Sequence, residues 1–183
     1  MKKITLLFLA VLSLNFISCG NDDEVTPIIE EIKNEFTVDT EAYAIDKGNF
    51  TQRNKRFDIQ LLSDAVTFDG FDLTGKGDVV FMTLFAEDGT LEGEYDVDYS
   101  GDIVVANQSK RETRPIIYYI DRDFDSATVE GIDPASKGTI KITKVGEAYT
   151  ISADITYTYL NDITKELKVS YIGELTSYIP VVE

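Results

Sequence analysis

The sequence predicts an all-β domain, an antiparallel β-sandwich of about ten short strands, from three observations. Apolar and polar residues alternate with period two over many short segments, which sets one face of each against a core and the other against water. Those segments are rich in Val, Ile, Thr, Tyr and Phe, which suit a pleated surface, and Gly, Asp and Asn interrupt them at intervals of about a dozen residues. Beyond the N-terminal region no long apolar repeat of helical period appears. A lipocalin-like up-and-down barrel has the same strand content, but encloses a small apolar ligand where a sandwich fills its core with side chains.

The first element is a leader. Lys2 and Lys3 precede the unbroken apolar run Leu6-Leu7-Phe8-Leu9-Ala10-Val11-Leu12, and the small residue Ser18 stands before Cys19. A charged start, a short apolar core and a small residue before the cut define a secretory signal peptide over residues 1–18. The run is too short to span a bilayer, which takes about 20 apolar residues. The residues ending in Ser18-Cys19 resemble a bacterial lipobox, with Phe16 at the position where Leu is commoner. That resemblance implies acylation of Cys19, which then becomes the N-terminus of the mature chain. Asn21, Asp22, Asp23 and Glu24 follow at once, and this acidic cluster resembles the export signal that sends lipoproteins of the Bacteroidota to the outer face of the outer membrane. Residues 19–36, with Pro27, Glu30 and Glu31, read as an acidic tether, in which Ile28, Ile29 and Ile32 offer the start of a short helix or an edge strand. Residues 37–183 form a single β domain.

Within that domain Tyr43 and Ile45 precede a turn-like Asp46-Lys47-Gly48-Asn49, and Phe57, Ile59 and Leu61 alternate with Asp58 and Gln60. The run from Val79 to Phe85 is almost continuously apolar, as in a central strand buried on both faces. Asp88-Gly89 turns the chain into 93–99, followed by Ile103-Val104-Val105 and Ile116-Ile117-Tyr118-Tyr119-Ile120. The last third is the clearest. Ile140 and Ile142, then Tyr149, Ile151, Ala153, Ile155, Tyr157 and Tyr159, then Leu167, Val169, Tyr171, Gly173 and Leu175 each alternate with polar residues. Turns at Lys144-Val145-Gly146-Glu147 and Asn161-Asp162 join them into an antiparallel meander with one packed and one wet face.

Composition narrows the chemistry. The mature chain of 165 residues carries 15 basic and 33 acidic residues, a net charge of −18. Such a surface repels phosphate backbones and argues against nucleic acid as a partner. Cys19 is the only cysteine, so the exported chain makes no internal disulfide. Histidine is absent, which removes Ser-His-Asp and Cys-His nucleophile systems, His-ligated zinc and bis-His haem.

Three constellations remain. Asp121, Asp123 and Asp125 place carboxylates at every second position, the hard oxygen ligands that calcium takes. Ser126 and Ile132 stand where an EF-hand loop requires Gly and Glu, so only a β-loop calcium site fits, and a solvated strand exit is the stronger reading. Glu92, Glu94, Asp96 and Asp98 line one side of a strand at steps of about 6.6 Å. Paired acids serve glycoside hydrolysis, but this chain has no Trp to form a sugar platform, and an exposed, charge-protected strand is the better account. Most tyrosines fall on apolar faces. In Tyr118-Tyr119 adjacent side chains point to opposite faces, so one of them is expected to meet solvent or a cleft, and Phe71 in the turn-like Phe68-Asp69-Gly70-Phe71 is expected at a loop tip. Tyr118, Tyr119 and Phe71 are therefore the candidate ligand-binding residues.

The N-terminal signals, together with Gly138-Thr139-Ile140-x-Ile142-Thr143, Tyr149-x-Ile151 and Tyr171-x-Gly173-x-Leu175, make the chain resemble small β-rich surface lipoproteins of the Bacteroidota. The resemblance implies a location and a fold class and brings no activity with it. The expected function is a lipid-anchored, cell-surface binding or structural module of the outer membrane, taking a carbohydrate or an envelope protein. Carriage of a small apolar ligand in a barrel, or hydrolysis by paired carboxylates, are the alternatives. No cofactor is implied apart from calcium at the aspartate loop. Mass spectrometry of the mature protein is expected to find Cys19 acylated, and Cys19→Ala to release the chain from the membrane; an intact Met1 on envelope-purified protein would refute this.

Overall fold

The alternating segments pair into twelve strands. A computed structural model describes residues 33–99, 112–113, 116–126, 135–159 and 162–178, and there is no helix among them. In chain order the strands are β1 (Glu35–Val38), β2 (Glu41–Ala44), β3 (Lys47–Arg53), β4 (Arg56–Leu62), β5 (Val66–Phe68), β6 (Leu73–Phe85), β7 (Gly93–Tyr99), β8 (Glu112–Thr113), β9 (Ile117–Asp123), β10 (Ala135–Val145), β11 (Ala148–Thr158) and β12 (Thr164–Tyr178). The all-β class is therefore what the chain adopts. The leader and most of the tether lie outside the described residues. β1 begins at Glu35 and buries Phe36, so the folded domain takes in two residues assigned above to the tether.

The C-terminal meander forms as its pattern requires. Ile142 stands opposite Ile151, and Ile151 opposite Tyr171, so all three face the core in one row. The flanking Lys141, Ser152 and Ser170 form the next row, on the other side of the sheet. The turn is tighter than expected: β10 runs on to Val145 and only Gly146-Glu147 intervene, with Gly146 at φ 63°. At Gly138 a side chain would run into the carbonyl of Asp154 on β11.

The sheet is mixed, which corrects the purely antiparallel expectation. β12 pairs with β11 along one edge; along the other it takes β1 antiparallel at Leu167 to Ser170 and then β3 in parallel at Leu175 to Tyr178. At 15 residues β12 outruns β1, and its free end finds β3 running the same way. The path β11-β10-β7-β8-β6-β4-β3-β12 thus returns to β11, joined most thinly where β7 meets β8 in a single parallel bridge, Asp96 to Glu112. The inner faces pack on one another in a sandwich-like way.

One strand was not legible. Lys47-Gly48-Asn49 reads as a turn, yet it lies inside β3. A side chain at Gly48 would collide with Leu175, and the ring of Tyr171 lies 3.0 Å from the same point, so glycine is there for close packing under β12. The actual turn falls at Asn54-Lys55, with Asn54 at φ 56°. Ile103-Val104-Val105 lie outside the described residues.

The core is one cluster that includes Phe36, Phe57, Ile59, Met82, Tyr95, Ile151, Tyr157 and Tyr171. β4 is buried on both faces over most of its length, and β6 is packed on both faces from Val79 to Phe85, as the apolar run there predicts. Their outer face carries a second, smaller cluster of Leu62, Val66 and Val79. Because Ile151 is fully buried and Ser152 is exposed, Ile151→Asp is expected to destabilise by more than about 4 kcal/mol, through an unpaired buried charge. Ser152→Asp should cost less than about 0.5 kcal/mol. Urea denaturation of both variants separates the outcomes, and equal effects would contradict the register.

Candidate binding surface

The inward-facing aromatics gather tyrosines at one place in the core. Tyr118 on β9 meets Tyr157 on β11 edge-on, ring centroids 5.5 Å apart, and its hydroxyl lies 3.2 Å from that of Tyr159. The Tyr157 hydroxyl donates to the Ile116 carbonyl at 2.8 Å, so this fully buried phenol is satisfied. Tyr43 on β2 stacks on Phe36 at 5.1 Å and donates to the Glu41 carboxylate at 2.6 Å. Tyr43, Tyr118 and Tyr159 all pack on the core while remaining part-exposed. Alternation set Tyr43, Tyr157 and Tyr159 inward but left Tyr118 and Tyr119 undecided; the structure turns Tyr118 to the core and brings it to Tyr157 and Tyr159.

Burial and hydrogen bonding keep Tyr43, Tyr118 and Tyr157 neutral. Burial pushes the Tyr157 and Tyr118 hydroxyls well above the ordinary phenol value, and the contact with Tyr159 adds to the effect at Tyr118. The hydrogen bond to Glu41 raises Tyr43 to about 12. Neutral phenols with apolar ring bodies and polar tips offer stacking surface and hydrogen bonds without a nucleophile or base at neutral pH.

Tyr119 points the other way, as adjacency requires, but neither tyrosine stands open to solvent. Tyr119 packs against the outer cluster of Leu62, Val66 and Val79 and meets Phe124 edge-on at 5.6 Å. Both rings are part-buried, Tyr118 against the core and Tyr119 against the outer cluster, because both faces of β6 are packed here. Phe71 does sit at a loop tip, 68% exposed, where the Asp69 carboxylate accepts from the backbone N–H groups of Phe71 and Asp72.

The calcium expectation is not supported: among the described residues no group of three or more acidic or other metal-ligating side chains comes together. A β-bulge explains why. The pairing of β9 with β6 slips between Gly77 and Val79, and Asp121 takes φ 51°, which breaks the alternation that would align Asp121 with Asp123 and Asp125. Asp121 instead pairs with Lys76 at 3.0 Å, Asp123 accepts from the Asp125 N–H, and Asp125 accepts from the Gly75 N–H. The acidic row of β7 is likewise solvated: Glu94 and Asp98 stand in register with Lys141 and Lys137 of β10 on an exposed face. Cys19, Asn21, Asp22, Asp23 and Glu24 lie outside the described residues.

A polar network on the outer face went unread. Asp58, on β4, accepts through Oδ1 from Arg56 Nε and Nη2 at 3.0 and 2.9 Å and from Thr83 at 2.6 Å. The only sequence signal was the polar residues Asp58 and Gln60 inside a strand that is otherwise apolar. Compared with family models, curated proteins and solved structures, the chain matches none.

The pH dependence follows from the raised phenols. A phenol whose folded value lies above the unfolded one, about 10, adds stability that is fully present below that pH and is lost as pH rises through the folded value. Ultraviolet difference titration of wild type against Glu41→Gln should show one phenol moving from about 12 toward the ordinary value. An unchanged titration would show that the Tyr43–Glu41 hydrogen bond does not form in solution.

Proposed function

We propose that the chain is a lipid-anchored module on the outer face of the outer membrane, which binds a carbohydrate or an envelope protein and does not turn a substrate over. The observation that carries this reading is the tyrosine group of Tyr43, Tyr118, Tyr157 and Tyr159, where part-exposed rings and neutral hydroxyls lie over a rigid core. Amphipathic aromatics of this kind make contact surface at little conformational cost. The N-terminal pattern, Lys2-Lys3 through Cys19 and the acidic cluster behind it, supports anchorage and export. Anchorage through two or more acyl chains is stable where a single chain is marginal.

The alternatives have less in their favour. An interior occupied by Tyr95, Tyr157, Phe57, Met82 and Tyr171 argues against carriage of an apolar ligand inside the sheet. Solvated acids facing lysines argue against paired-carboxylate hydrolysis. Two measurements test the proposal. Replacing Asp22, Asp23 and Glu24 with Ala should leave the chain acylated but shield it from protease added to whole cells. Tyr118→Phe and Tyr159→Phe should weaken capture on glycan arrays or in envelope pull-downs while the melting temperature barely moves; undiminished capture by both variants would remove the tyrosine group from the binding surface.

A further inference from the structure

The outer face of β3 and β4 holds buried polar groups. Asn49, Thr51, Asp58 and Gln60 all point outward from the core cluster, since their neighbours Phe57, Ile59 and Leu61 point in. All four are buried, Thr51 at 4% and Gln60 at 2% exposure. Thr51 Oγ1 and Gln60 Oε1 have no hydrogen-bond partner. The two lie on neighbouring strands, Thr51 opposite Asp58 and Asn49 opposite Gln60, so they form one floor. An unpartnered buried acceptor is unfavourable, and two on one patch call for an outside donor.

A hairpin tip reaches the edge of this floor, at Tyr178. Past Leu62 and Val79 the β5–β6 hairpin folds back, and Phe68 meets Tyr178 edge-on at 5.1 Å. Tyr178 stands in register with Thr51 at the end of β12, so the tip reaches across the outer face as far as β12. The bend lies at Gly75, φ 89°, where a side chain would strike the Ala65 carbonyl. Beyond the bend, the tip's ring contact to the sheet is Phe68 on Tyr178, and Phe71 at its end is exposed.

We propose that this floor is a binding site for a neutral saccharide, admitted when the hairpin tip lifts off Tyr178. The inference rests on the binding-module reading above and adds to it a second site, on the other face of the sheet from the tyrosine group, with its own ligand class; Tyr118→Phe and Tyr159→Phe should leave retention at this site unchanged. Amide and hydroxyl groups match sugar hydroxyls, which donate and accept in turn. Asp58 is charge-compensated by Arg56 at 2.9 Å, so the floor offers no free cation to an anion. Phe81, in register with Gln60 and only partly buried, supplies an apolar ring for the C–H face of a sugar.

The test uses the full-length acylated protein in detergent and an array of neutral oligosaccharides, namely glucans, mannans, galactans and xylans. Wild type should retain at least one class. Gln60→Met and Thr51→Val keep side-chain shape and remove the unpartnered atoms, so each should keep or raise the melting temperature while weakening retention roughly tenfold or more. Thr156→Ala, on the exposed face of β11, should leave retention unchanged. In wild type, amide exchange over 66–75 should be faster than in the 135–178 meander and should slow when the retained oligosaccharide is added. Retention of no neutral oligosaccharide would overturn the proposal and leave capture of an envelope protein open under the broader reading. Retention undiminished in Gln60→Met and Thr51→Val, or no slowing over 66–75, would place the sugar elsewhere and overturn this site alone.

Discussion

Strand β12 is the element on which the rest depends, because both of its edges are hydrogen-bonded along most of its length. One edge carries β11 for eleven register pairs; the other carries β1 and then β3. An unpaired edge of 15 residues would be a template for aggregation. Using both edges removes that hazard and brings the first and last thirds of the domain together without a disulfide. The junction is tight. At Gly48 and Gly173 there is no room for a side chain beside Tyr171, whose hydroxyl donates to the Glu174 carbonyl at 2.7 Å. Close backbone approach and a large ring make one joint here, and the core cluster fills the space it encloses.

Two-sided burial of β4 and β6 follows from the same closure. Their inner faces complete the main core, and their outer faces would expose Leu62, Val79 and half-buried rings if nothing lay across them. The back-folded β5–β6 hairpin and Phe124 supply that cover. The Phe124 N–H donates to the Gly75 carbonyl at 2.8 Å, and Gly75 in turn donates to Asp125, so the end of β9 fastens the bend. Of the aspartates that resembled a cation loop, Asp125 thus serves the backbone of the hairpin, Asp121 pairs with Lys76 and Asp123 holds Asp125. Their carboxylates are occupied as acceptors and ion-pair partners, and the tip they help to position reaches the edge of the polar floor.

Charge is spread to suit the same architecture. On the outer face of the meander Lys168 stands in register with Asp154, and Lys137 with Asp98. Such cross-strand pairs each contribute a few tenths of a kcal/mol and keep like charges apart. The chain's net charge of −16 is spread so that among the described residues no three acidic side chains come together to hold a metal, and such a surface repels anionic ones.

The sequence by itself determined the all-β class and, in the clearest strands, which residues face inward. Alternation is a local property: Ile140, Ile151 and Tyr171 had to face one way and Lys141, Ser152 and Ser170 the other, whatever lay beyond them. The bounds of β7 and the two-sided burial of β6 were legible for the same reason. The tertiary structure alone decided which strands met. Gly48 read as a turn because its purpose is the approach of Leu175, more than a hundred residues away. Asp121, Asp123 and Asp125 read as one row because the bulge that separates them is set by the register against Gly77 and Val79. Tyr43, Tyr157 and Tyr159 were placed inward by period, alternation left open which of Tyr118 and Tyr119 faces in, and the meeting of Tyr118 with Tyr157 and Tyr159 required β9 and β11 to converge. The buried floor of Thr51 and Gln60 was invisible because the register of β3 against β4 assembles it. Period two fixes the face a side chain takes, and only the register between distant strands fixes what it meets there.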